Sequence, residues 1–123
     1  MRTALASAVG VFIATGCAPL SADTARTRAE LERQLPVGRS LADVEATVKA
    51  RQLPYTVYSP RDCENNAKIT SPTYAVKGGP CLFALAKVGA TWYGYTVDLQ
   101  LRLFFDPSGK LVDREFQRID TFI

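Results

Sequence analysis

The residues that could do chemistry in this chain are three cysteines and twelve carboxylates, because the 123-residue sequence contains no histidine. Without imidazole, Ser-His-Asp and Cys-His catalytic arrangements and histidine-ligated metals are excluded. Paired carboxylates could hydrolyse glycosides, but nothing in the sequence places an apolar pocket beside Asp62 or Glu64, as a general acid requires. The sequence therefore predicts no enzyme, no metal, no cofactor and no small-molecule substrate.

The segment MRTALASAVGVFIATGC at the start of the chain has the layout of an export signal. Its uncharged run after Arg2 is shorter than the roughly 20 residues that span a bilayer. The last four residues, Ala14 to Cys17, resemble a bacterial lipobox, with Ala14 where that motif usually has a leucine-like side chain. The resemblance implies cleavage of residues 1–16 and lipid attachment at Cys17. Ordinary signal-peptidase cleavage at the same small residues is the alternative.

Ala18 rather than an aspartate follows the lipobox cysteine, which by resemblance to enterobacterial sorting implies the bacterial outer membrane. The predicted localisation is a periplasm-facing lipid anchor in that membrane. With Cys17 acylated, Cys63 and Cys81 remain, and an even pair in an exported chain indicates a disulfide. The other interpretation is two separate thiols, since two cysteines without histidine are too few for a zinc site.

The anchored chain divides into a tether and one folded body. Residues 17–23 are small and polar and predict a lipidated tether, followed by a single domain over residues 24–123. Residues 24–35 have helix-forming composition with charge pairs at i,i+4. A second helix is predicted to begin at Ser40, a capping residue, with Asp43 three residues later.

Strands are expected in the rest of the chain. Tyr55 to Tyr58 is β-prone, and Ser59 to Pro80 is predicted to be a long loop because it is rich in Pro, Gly and Asn. Ala67 to Thr70 could form a short edge strand inside that loop. Cys81 to Val88 is an apolar strand, and Tyr93 to Phe105 alternates apolar and polar residues, as in a strand with one buried face.

A turn at Asp106-Pro-Ser-Gly109 leads into the last predicted strand, Lys110 to Ile119. The order of elements predicts an α+β fold. In it, two short N-terminal helices pack on one face of a three- to four-stranded antiparallel meander, as a two-layer sandwich.

Two short stretches carry a family resemblance: Leu35-Pro-Val-Gly38-x-Ser40 before the second helix, and Leu103-Phe-Phe-Asp-Pro-Ser-Gly-Lys-Leu111 at the last hairpin. With the order of elements, they resemble the SmpA/OmlA domains of small outer-membrane lipoproteins, the BamE-like group, whose fold is shared by beta-lactamase inhibitor protein. The resemblance covers roughly residues 24–119. It implies a non-catalytic role in outer-membrane assembly or integrity, and no site residues are carried over from it.

Two groups of residues are candidate contacts for a protein partner. Trp92 at a turn and Phe104 in the polar phase of its strand are large side chains of the kind favoured at interface centres, whereas Tyr93 and Tyr95 are expected in the core. The second group is the polar run of Arg61, Asp62, Glu64 and Asn65, for which a merely solvated loop is the alternative.

The class of partner is predicted from the net charge and from the predicted cell compartment. The net charge of +3 is scattered along the chain, so a nucleic-acid surface is not expected. The sequence predicts a lipid-anchored binding or scaffolding module with an envelope or periplasmic protein as its partner. The alternative is a periplasmic inhibitor that blocks an enzyme such as a lysozyme or a peptidase.

Overall fold

Two helices come first in the described part of this chain, and the four strands that follow are interrupted once by a third helix after the first strand. The computed structural model describes residues 18–70 and 76–122. The described elements are α1 (Ala18–Gln34), α2 (Leu41–Ala50), β1 (Tyr55–Tyr58), α3 (Pro60–Thr70), β2 (Cys81–Ala90), β3 (Tyr95–Phe105) and β4 (Leu111–Phe122). The sheet order is β1-β2-β3-β4 with every neighbouring pair antiparallel, which confirms the predicted α+β meander.

Helix α1 begins at Ala18, so residues 18–23 are helical although the sequence predicted a tether there and a helix only from Thr24. The Thr24 hydroxyl donates to the Leu20 carbonyl at 2.7 Å, and Arg26 pairs with Asp23 one turn earlier. Such contacts favour extension because adding a residue to an existing helix costs far less than starting one. Cys17 and the rest of the segment predicted to be an export signal lie outside the described residues.

The C-terminal end of α1 is fixed to the sheet by apolar burial and by one cation. Leu31 and Leu35 are fully buried in the main core. Nη1 of Arg114, on β4, donates to the carbonyl oxygens of Glu32 and Leu35 at 2.8 and 2.9 Å. Carbonyls at a helix end have no partner within the helix, and a cation there also opposes the negative end of the helix dipole.

Helix α2 confirms the predicted cap, since the backbone N–H of Asp43 donates to Ser40 Oγ at 3.2 Å. Its buried residues are Val44 and Val48. The turn before it is tied to the β3–β4 turn, where the N–H of Leu41 donates to the Gly109 carbonyl at 2.9 Å. Gly109 has a φ of 83°, a left-handed value that favours glycine, as the predicted turn requires.

One face of the sheet, called the front face, carries the main core under α1 and α2. The predicted alternation along β3 is confirmed there, because its odd-numbered residues from position 97 onward are all buried. They are Val97, Leu99, Leu101, Leu103 and Phe105. Leu82, Ala84 and Ala86 of β2 lie on the same face by register. The core thus follows from period-two alternation on neighbouring strands.

A helix replaces the first part of the predicted loop, and the proposed edge strand over Ala67 to Thr70 is wrong. Ser59 Oγ accepts a hydrogen bond from the Asp62 N–H at 3.2 Å, and Pro60 occupies the first turn, where its missing N–H costs nothing. The Asn66 side chain donates to the Asp62 carbonyl at 2.9 Å. These local signals outweigh the loop-forming composition.

Helix α3 lies on the back face of the sheet, opposite α1 and α2. Cys63 of α3, Cys81 of β2 and Phe104 of β3 are buried together there. Cys81 and Phe104 are register partners, so their side chains share one face. The predicted two-layer sandwich therefore gains a third layer at the end of the sheet where β2 begins.

Candidate functional site

Phe104 is not available to a partner, so the prediction that it lies in an interface is wrong. Its exposed fraction is 0%, and its ring lies edge-on to that of Phe83, with centroids 6.2 Å apart. Phe83 in turn meets Tyr58 edge-on at 5.2 Å. The other members of this phase of β3 are polar and are half-buried at positions 96, 98 and 100, whereas α3 covers the back face at position 104.

Cys63 and Cys81 confirm the predicted pairing in their geometry. Their sulfur atoms lie at disulfide-bonding distance and their Cα atoms are 5.7 Å apart, within the range of natural disulfides. Both side chains are buried. The cross-link joins the first turns of α3 to the first residue of β2, so this helix is attached to the sheet covalently.

The predicted polar run lies on α3 rather than on a loop. Arg61, Asp62 and Asn65 are exposed, whereas Glu64 is half-buried. The buried Cys63 marks the side of the helix that faces the sheet. The structure therefore brings the four polar residues together on an outward-facing helix surface, called here the α3 surface.

Trp92 is exposed as predicted, at 95% of its surface, in the turn between β2 and β3. Tyr93 and Tyr95, expected in the core, are instead 47% exposed and half-buried respectively. Tyr93 meets the ring of Trp92 edge-on at 5.5 Å and that of Phe122 at 6.2 Å. Trp92, Tyr93, Tyr95 and Phe122 form a cluster called here the aromatic corner.

A hydrogen-bonded group of polar side chains borders the aromatic corner. The Tyr95 hydroxyl donates to Asp120 Oδ2 at 2.6 Å, and Arg118 Nε donates to Asp120 Oδ1 at 2.7 Å. The bonds from Arg118 and then Tyr95 lower the pKa of Asp120. The bond to Asp120 raises the pKa of Tyr95. The corner is thus apolar at its tip and ionic at its base.

Phe122 is the member of the corner that sequence reasoning missed. Its register partner is Tyr95, because β4 continues to Phe122 rather than ending at Ile119 as predicted. Phe122 lies on the same face as Phe116, three steps of two residues further along β4. The intervening Arg118 and Asp120 break the apolar alternation, so the sequence pattern gives no signal that the strand continues to Phe122.

The aromatic corner and the α3 surface lie at opposite ends of the sheet. Strand β2 begins at Cys81, which is bonded to α3, and its last residue, Ala90, stands just before the turn that carries Trp92. Nine steps along a strand span about 30 Å. Trp92 and the predicted polar group on α3 therefore cannot belong to one small interface.

Several ionisable groups in the described residues are engaged in ion pairs or in turns. Arg102 pairs with Glu115 at 3.5 Å, and Lys77 pairs with Asp113 at the same distance. Hydrogen bonds from Ser108 and from the Lys110 backbone lower the pKa of Asp106, the opposite of the shift that a general acid needs. Over residues 18–70 and 76–122, no three side chains of His, Cys, Asp or Glu gather to hold a metal ion.

Comparison with known proteins does not assign this chain to a family, and the hydropathy of its described helices does not indicate a membrane span. No protein-family model, no curated protein and no solved structure matches the chain. Among the helices described here, none is long and apolar enough to cross a membrane. The likeness to the SmpA/OmlA domains therefore stays a prediction.

Proposed function

We propose that this chain is a lipid-anchored, non-catalytic protein-binding module of the bacterial cell envelope, and that it binds its partner through the α3 surface. The observation that carries the proposal is the attachment of α3 to the sheet by the buried Cys63–Cys81 pair, with polar side chains on its outer side. A helix fixed in this way is already ordered before it binds a partner.

Preordering matters because binding has to offset the loss of side-chain and segment freedom at the interface. The covalent link holds α3 in place before the partner arrives. Arg61 and Asp62 are adjacent, exposed and of opposite charge, which gives the surface a defined charge pattern. Such patterns select partners and set the rate of encounter more than they raise affinity.

The envelope address is supported by the lipobox-like Ala14 to Cys17 and by the disulfide geometry, which suits an oxidising compartment. The SmpA/OmlA resemblance adds outer-membrane assembly or integrity as the proposed setting. On this proposal Cys17 carries the acyl chains and the folded body faces the periplasm.

Site-specific photocrosslinking tests the proposal. A photoreactive amino acid replaces Asn65 on the α3 surface of the full chain, and the matched control carries it at Ala46, an exposed position of α2. Crosslinking is carried out in the native envelope. We expect one envelope protein to be captured from position 65 and not from position 46, with loss of capture after Arg61→Glu combined with Asp62→Lys.

Equal capture from both positions, or none from position 65, contradicts the proposal. Capture of a single soluble hydrolase whose activity the purified chain abolishes, with no dependence on Cys17, identifies the inhibitor function instead.

A further inference from the structure

The tip of the aromatic corner is unusually exposed for large apolar side chains. Trp92 is the only tryptophan in the chain, and it is 95% exposed, while Phe122 is 71% exposed. Of the aromatic side chains in the described residues, only Trp92, Tyr93 and Phe122 are exposed, and Tyr93 meets the rings of the other two. A contiguous exposed apolar patch marks a surface that contacts a protein, a ligand or a membrane.

The position of the aromatic corner in the fold indicates what this patch contacts. A Cβ atom built on Gly89 would lie 2.6 Å from Leu20 Cδ2, so Leu20 packs directly on the β2 backbone near its last residues. Leu20 is in the first turn of α1, and the opposite end of α1 is held near the β3–β4 turn by Arg114. Helix α1 therefore begins at the end of the sheet that carries the corner.

Cys17 is bonded to Ala18, the first residue of α1, and Cα atoms of bonded residues are about 3.8 Å apart. Ala18 precedes Leu20 by two residues, a rise of about 3 Å along the helix axis. The acyl chains that the proposed function places on Cys17 must therefore enter the bilayer close to Trp92, Tyr93 and Phe122.

We infer that the aromatic corner inserts into the headgroup region of the membrane beside the acyl chains of Cys17, as a second contact that fixes the orientation of the domain. The inference rests on the lipid attachment in the proposed function. Several acyl chains hold a protein on a membrane, but they leave its orientation free. Tryptophan and tyrosine favour the membrane–water interface because one part of each ring system is apolar and another part binds water.

The base of the corner fits this placement. Tyr95, Asp120 and Arg118 form their hydrogen-bonded group just behind the apolar tip, where ionised headgroups and water would meet them. Inserted in this way, the domain stands with the long direction of the sheet away from the bilayer. The α3 surface then lies about 30 Å from the corner, free for a partner in the periplasm.

Fluorescence quenching by brominated lipids tests the inference, with Trp92 as the built-in reporter. The lipidated full chain is reconstituted into vesicles of phosphatidylethanolamine and phosphatidylglycerol with or without brominated acyl chains. The matched control moves the reporter to the α3 surface, by combining Trp92→Phe with Asn65→Trp. We expect strong quenching and a blue-shifted emission for Trp92, and neither for the control reporter.

A second variant checks that the corner as a whole inserts. Tyr93→Ser combined with Phe122→Ser leaves the reporter in place and changes only exposed side chains, and circular dichroism confirms that it folds. We expect the quenching of Trp92 to fall in this variant. Quenching that does not change means that the acyl chains alone bring the tryptophan to the bilayer, and it overturns the inference.

The remaining outcomes separate the inference from the proposed function. A chain whose mass shows acylated Cys17 but whose Trp92 is unquenched, or is shielded by a bound protein, overturns the inference and leaves the anchor in place. Equal quenching of both reporters overturns the proposed orientation. A mature chain without acyl groups overturns the lipid anchor of the proposed function, and the inference with it.

Discussion

At the scale of single residues, Phe104 and Trp92 show that two large aromatic side chains with the same expected exposure can differ completely in burial. Both were expected to be exposed, Trp92 because it lies at a turn and Phe104 because it stands in the polar phase of its strand. Phe104 is completely buried because α3 covers the back face at that point, while Trp92 lies in a turn that no described element covers. The exposure of a residue on a sheet depends on which other element packs over it. The residues next to it in the sequence do not show which element this is.

Truncating each of the two side chains should separate these roles. We expect Phe104→Ala to lower the free energy of unfolding by about 3–5 kcal/mol, as for other buried aromatic side chains. Trp92→Ala should change it by no more than about 0.5 kcal/mol, because the side chain buries little surface. Urea unfolding followed by circular dichroism measures both. A Phe104→Ala chain as stable as the parent would show that the ring is not part of a packed core.

Asp106 offers a pH-dependent prediction in the β3–β4 turn. Its Oδ1 accepts from Ser108 Oγ at 2.6 Å and from the Lys110 N–H at 2.9 Å, and these bonds lower its pKa. A lowered pKa means that the charged carboxylate stabilises the folded chain above the unfolded pKa. This stabilisation is lost as the pH falls through the folded pKa.

We therefore expect Ser108→Ala to raise the pKa of Asp106 towards its ordinary value, since the largest cause of the shift is removed. Carboxyl carbon NMR titration measures it directly, with Ser59→Ala on another element as the control. An unchanged pKa in the Ser108 variant would show that the hydroxyl does not bond to Asp106 in solution.

At the scale of elements, the parts predicted well from the sequence are those governed by local patterns. Ser40 caps α2, Gly109 takes the left-handed conformation of the last turn, and β3 alternates as expected. Helix α3 was missed because its segment is rich in Asn and adjoins Pro and Gly. Its N-terminal signature, Ser59-Pro60-x-Asp62, was nevertheless present.

The candidate site was less predictable than the fold, since it depends on contacts between distant segments. The pairing of Cys63 with Cys81 could be reasoned from cysteine count. The meeting of Phe122 with Tyr93 could not, because the end of a strand is the least certain part of a pattern. The distance between Trp92 and α3 follows only from the strand order.

The cross-link should stabilise α3 more than any other element. We expect Cys63→Ala combined with Cys81→Ala to lower the free energy of unfolding by about 3 kcal/mol, as for a loop of this size. Amide hydrogen exchange should accelerate in α3 while that of α2 changes much less. If amide exchange in α3 of this variant is as slow as in the oxidised parent, the packing of α3 on the sheet does not depend on the disulfide.

Arg114 should hold the end of α1 in place. We expect Arg114→Met, which keeps an apolar stem but removes both hydrogen bonds from Nη1, to lower the free energy of unfolding by about 1.5–3 kcal/mol. The last turn of α1 should show faster hydrogen exchange. Arg33→Met, on an exposed residue of that turn, is the control and should have little effect. Equal effects of the two variants would contradict a capping role for Arg114.

At the scale of the whole molecule, the two ends of the sheet have different chemistry. One end carries the exposed aromatic corner and the start of α1, next to the cysteine of the lipobox-like motif. The other end carries the polar, cross-linked α3. With a membrane at the first end and a protein partner at the second, the apolar aromatic corner would contact lipid and the polar α3 surface would contact protein.

The most direct test of the central proposal, an envelope lipoprotein that binds a protein, is a crosslinking pull-down of the full-length chain from its native envelope beside Cys17→Ser. The mass of the N-terminal peptide is read in the same samples. We expect an acylated Cys17, recovery in the outer-membrane fraction with one envelope protein, and loss of both in the serine variant. An unacylated chain that is soluble and captures the same protein with or without Cys17 would contradict it.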